Sequence, residues 1–97
     1  MNLIEARHEI DKIDHELKEL FKKRMAVSGE IAMIKAETGD TIYKPDREKE
    51  VIQKLTADIS PDLREEYTVF IKKILEISRD YQLKKIQESK QNNWKPA

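Results

Sequence analysis

The chain has 97 residues, 38% of them hydrophobic and 39% charged, with two glycines, three prolines and no cysteine. Nineteen basic residues balance nineteen acidic ones, so no net field points to nucleic acid or an anionic membrane, and the missing cysteine excludes disulfide and thiol chemistry. The profile is that of one helical domain with a narrow core, and a chain of this size buries so modest a share of its surface that self-association would help it.

The N-terminus, MNLIEARHEI, carries acids where a secretion signal has an apolar run. No stretch approaches the ~20 apolar residues of a membrane span. A soluble, cytoplasmic protein is expected. The first predicted helix runs from Ile4 to Glu37, with an apolar stripe of Ile10, Ile13, Leu17, Leu20, Phe21, Val27, Ile31 and Ile34 stepping by threes and fours. It stops at Thr38-Gly39-Asp40, where Gly39 suits a left-handed C-terminal position. After a loop from Asp40 to Lys44, Pro45 pre-sets a short second helix to Asp58, with Asp46 and Glu48 at its positive end. Ser60-Pro61-Asp62 then reads as serine cap, first-turn proline and first-turn acid of a third helix that reaches Glu88. Its apolar face is Leu63, Tyr67, Phe70, Ile71, Ile74, Ile77 and Tyr81, and the polar segment 89–97, with Trp94, reads as a flexible tail. Strand-like alternation is absent.

The predicted first helix is ~50 Å long, more than the other two can cover. A helix that outruns its own domain usually buries the remainder against a second copy, most often around a two-fold axis. An intertwined homodimer of all-α chains is therefore expected.

Several polar groups fit poorly on these faces. Arg24 and Lys35 lie at the centre of the first helix's stripe, ~16 Å apart along its axis. A buried cation needs an anion. That anion is either a carboxylate from a neighbouring helix or a small dianion gripped by both. Arg7 stands ~25 Å from Arg24, so it is either solvated or reaches the Arg24–Lys35 region of an antiparallel partner. Ser78 and Gln82, one turn apart, offer a hydroxyl and an amide on one patch, or mark a boundary. Arg47-Glu48 opens the second helix, where an anion-binding end meets a carboxylate, or else forms a solvated first turn. Gly29, inside the first helix, either lets a neighbouring backbone come close or is a tolerated cost. His8 and His15 are spaced too widely for a metal pair on one helix and have no third ligand nearby.

Taken jointly, Arg7, the segment LKELFKKRMAVSGEIAMIKAE with Arg24 and Lys35, PDREKEV with Arg47-Glu48, and ISRDYQ with Ser78 and Gln82 resemble the all-helical chorismate mutases over residues 3–88. The resemblance implies a monofunctional enzyme that converts chorismate to prephenate in phenylalanine and tyrosine biosynthesis, with no cofactor and no metal. It implies a three-helix homodimer whose Arg7 enters the partner's site. It also implies roles: Arg24 and Arg7 for the substrate carboxylates, Lys35 and Gln82 as donors to the ether oxygen, and Glu48 as acceptor from the ring hydroxyl. Arg47 and Ser78 would support these contacts, and Ile31 and Leu75 would wall the ring. Lys44 departs from the pattern, standing where the family often carries an acid; the contact there is expected through backbone. At this length the resemblance leaves no room for a dehydratase, dehydrogenase or regulatory domain, though activation by another shikimate-pathway enzyme stays compatible with it. Two alternatives remain at this stage: an isochorismate-pyruvate lyase on the same scaffold, and a non-catalytic helical dimer.

Overall fold

The structure, a computed structural model, describes residues 1–93 and holds three helices: α1 (Leu3–Thr38), α2 (Pro45–Thr56) and α3 (Pro61–Asn93). No strand occurs among the described residues. The expected all-α architecture is what forms.

Local chemistry sets the helix ends. The Asn2 side chain accepts the Glu5 N–H at 2.8 Å and caps α1. Gly39, at φ 71°, closes α1 in the left-handed conformation, and its N–H and that of Asp40 both bond the Lys35 carbonyl. Pro45 opens α2 as expected. The end of α2 comes at Thr56 rather than Asp58; no glycine marks the stop, and the Thr56 hydroxyl folds back on the Ile52 carbonyl at 2.7 Å. The Ser60 side chain is not the backbone cap expected of it: its hydroxyl donates to Asp62 Oδ1 at 2.6 Å. Helix α3 continues past Glu88 to Asn93, because nothing in Ser89–Asn93 breaks a helix. Trp94 lies outside the described residues.

The three helices form a thin slab, 62 × 31 × 14 Å. The shared element is α3: α1 packs against it, and so does α2. Its closest seam buries Ala32 of α1 with Ile71 and Leu75 of α3. Gly29 belongs to the same seam, where an added Cβ would sit 3.6 Å from the Tyr81 ring, in ordinary contact. Of the two readings of Gly29, a tolerated cost is the one that fits.

The stripe of α1 is not covered within one chain. Ile10, Leu20 and Ile34 are 55%, 60% and 58% exposed, and no residue of α1 before Ser28 is buried. Other large apolar groups, Leu63, Val69 and Phe70 among them, are exposed on α3. Among the described residues no helix is long and apolar enough to cross a membrane.

Candidate active site

The most protected side chains of the chain are half polar. Among the described residues, those buried beside Ala32, Ile71 and Leu75 are Ser28, Ser78 and Gln82. Such groups are costly in a core unless bonded. Here they face a cavity of about 400 Å³ between the C-terminal half of α1, the loop before α2, α2 itself and α3.

That cavity gathers almost every residue singled out in the sequence. Arg24, Ile31 and Lys35 line it from α1, Lys44, Arg47 and Glu48 from the loop and α2, and Leu75, Ser78 and Gln82 from α3. Helical spacing explains the first group: Arg24, Ile31 and Lys35 follow one another by seven and four residues on one face. The loop returns to the same face because Lys35 holds it, its ammonium donating to the Ile42 carbonyl at 2.9 Å. Arg7 is not brought in. It is exposed near the start of α1, and the chain's own cavity has no contribution from it.

The electrostatics differ from what the stripe suggested. Arg24 is exposed and Lys35 half-buried, because a single chain leaves the stripe open. Neither cation is neutralised by an acid: among the described residues no ion pair includes either. The Arg24 guanidinium donates instead to the Ser78 hydroxyl, and the Ser28 hydroxyl lies 3.4 Å from the same oxygen. Of the two anions foreseen for these cations, the carboxylate from a neighbouring helix is not there. Gln82 adds a second open valence, since its buried Oε1 has no hydrogen-bond partner. A stranded acceptor costs about 1–3 kcal/mol, which a finished core rarely carries.

The acids at the cavity have partners of their own. Asp40 pairs with the Lys44 ammonium, and that hydrogen bond, with a second from the Thr41 N–H, holds its carboxyl below the ordinary 3.8. The Lys44 carbonyl accepts the Glu48 N–H at 3.0 Å and so starts α2. Glu48 accepts from Arg79 of α3, and this bond raises the guanidinium above its ordinary range. Arg47 reaches only the rim: 65% exposed, it pairs with Glu50 on the surface of α2 at 3.3 Å.

Sequence reasoning missed Ser28, Asp40, Ile42, Val51 and Arg79, all of which line the cavity. Ser28 was findable, one turn after Arg24 on the same face. Arg79 gave less signal, standing next to Ser78 but turned toward α2 rather than α1.

The arrangement is a cleft with an apolar wall, two unpaired cations on one helix and amide and hydroxyl groups on another. It suits a small anion with an apolar body. The chain is 39% identical over 69 residues to the T-protein of Haemophilus influenzae (strain ATCC 51907 / DSM 11121 / KW20 / Rd), a match that covers 66% of this chain and 18% of that protein. This chain therefore corresponds to a small part of that relative. No solved structure matches it. A family model, chorismate mutase type II, matches residues 6–83. That span runs from just before Arg7 to just past Gln82 and takes in every cavity-lining residue: the chain belongs to the chorismate mutase type II family.

Proposed function

We propose that this chain is a chorismate mutase, which rearranges chorismate to prephenate inside the α1–α3 cavity. The observation that carries the reading is the pair Arg24 and Lys35, two cations without an acid partner on one wall of a cleft whose opposite wall is Leu75 and Gln82. Chorismate is a dianion with an apolar ring, and it meets both halves of that description.

The Claisen rearrangement of chorismate is intramolecular and needs no nucleophile. Two tasks remain for the protein. The first is to hold the enolpyruvyl arm over the ring, which charged hydrogen bonds to the carboxylates achieve. Arg24 takes one carboxylate, steadied by Ser78. The second is to stabilise the negative charge that grows on the ether oxygen as its C–O bond breaks. The Lys35 ammonium has hydrogens beyond the one given to Ile42, and together with the Gln82 amide it serves that oxygen. Glu48 accepts from the ring hydroxyl, Arg47 and Lys44 border the entrance, and Ile31 and Leu75 flank the ring.

In this reading the active unit is a cytoplasmic homodimer. The exposed stripe from Ile10 to Phe21 supports it, since a second copy running antiparallel would cover that stripe and bring its own Arg7 to the other carboxylate. The test is chorismate consumption by the purified protein with the product identified. Prephenate formation that Arg24→Ala lowers by a factor of about a hundred or more is expected. Release of pyruvate would instead assign a lyase, and no turnover by a folded dimer would leave a binding module.

A further inference from the structure

Arg79 has no part in the mechanism so far, yet it is among the best-held cations of the chain. Its guanidinium donates to Glu48 Oε1 across the α2–α3 gap, and the two side chains are only 29% and 19% exposed. On its other side the guanidinium carbon lies 4.7 Å from the centre of the Tyr43 ring, within cation–π range. The Arg79–Glu48 pair borders both the cavity and a second groove outside it, between α2 and α3. With Leu75, which also lines both, it separates the two.

Glu48 poses a problem that this pair solves. A carboxylate beside a dianionic substrate repels it, and the other cations nearby are committed elsewhere. Lys44 holds Asp40 and Arg47 holds Glu50, while Lys35 and Arg24, with only neutral partners, are the cations left for the substrate itself. Among the described residues, Arg79 is the cation that pairs with Glu48. It engages Oε1 and leaves Oε2 as an acceptor.

We propose that Arg79 is a positioning residue for the rearrangement: it fixes the Glu48 carboxylate with one oxygen directed to the substrate's ring hydroxyl and cancels the charge that would otherwise repel the dianion. The proposal rests on the mutase reading above. Its signature is coupling. Removing Arg79 alone strands an unpaired carboxylate in the cavity, whereas removing both partners does not.

The experiment measures KM and kcat for chorismate in the wild type, Arg79→Gln, Arg79→Lys, Glu48→Gln and the double variant Glu48→Gln/Arg79→Gln, with circular dichroism as the check on folding. Arg79→Gln should raise KM by about tenfold or more with a smaller fall in kcat, and Arg79→Lys should recover most of the loss. In the Glu48→Gln background the same Arg79→Gln change should add less than about threefold. If Arg79→Gln does not fold, Arg79→Met, which keeps the apolar stem and drops the charge, measured with and without Glu48→Gln reads the same coupling. An unchanged KM in Arg79→Gln, or an equal penalty in both backgrounds, overturns the proposal while leaving the mutase reading intact. A wild type inert toward chorismate overturns both.

Discussion

Between Ile10 and Phe21, α1 carries large apolar side chains that stand in solvent, whereas between Arg24 and Lys35 the same helix carries two cations beside the most protected position of the chain, Ala32. The usual relation of polarity to burial is reversed along one element for the buried Ser28 and for the exposed large apolar groups, while the cations themselves are exposed at Arg24 and half-buried at Lys35. In the protected half, charge and hydroxyl face a cavity, and conventional packing is limited to small groups such as Ala32 and Gly29 against α3. In the open half, apolar area has no partner among the described residues. An enzyme site and an association surface laid end to end on one helix would produce this reversal.

Three changes break or sharpen the contrast. The largest effect belongs to the protected half. Lys35→Ala removes a donor and little packing, so turnover should fall by about 3–4 kcal/mol of transition-state stabilisation while the helical signal stays intact. Near-normal kcat/KM would take Lys35 out of the chemistry. Leu17→Glu addresses the open half. If that half is an interface, burying a carboxylate there forfeits the ~1.5–3 kcal/mol that each buried leucine contributes, so dimer affinity should drop by about a hundredfold. Analytical ultracentrifugation would read the mass, and an unaltered species would mean that the stripe is not where copies meet. The smallest effect sits at the seam. Gly29→Ala has room beside Tyr81, so it should gain ~0.5–1 kcal/mol of helix propensity and raise Tm by a few degrees; a fall would mean that the α1–α3 seam is tighter than the Tyr81 contact implies.

Legibility in the sequence follows the same division. Gly39, Pro45 and Pro61 act through local backbone chemistry, so the helix borders they set were readable. Where no such residue stands, at Thr56 and beyond Glu88, the borders were misplaced. The cavity-lining residues Arg24, Lys35, Ser78 and Gln82 stand out in the sequence because each breaks the apolar pattern of its helix, and a pattern break is visible without a fold. Arg79 breaks no pattern. Its significance comes from Glu48, 31 positions away, and pairing at that range is fixed by how α2 lies on α3. Arg24 also shows the limit of pattern reading. Its place on the stripe suggested burial, but burial there needs a surface that one chain does not supply.

A slab 14 Å thick is about one helix deep, and this has a kinetic consequence. A layer of that depth has only a small inside, around Ala32, Ile71 and Leu75, until something lies against it, so on the dimer reading the chain cannot finish folding first and associate afterwards. Acquisition of structure then becomes second order in chain: dilution slows it, and a newly made chain stays exposed until it meets a mate. The amount of native enzyme would depend on how fast the chain is made as well as on what the sequence encodes.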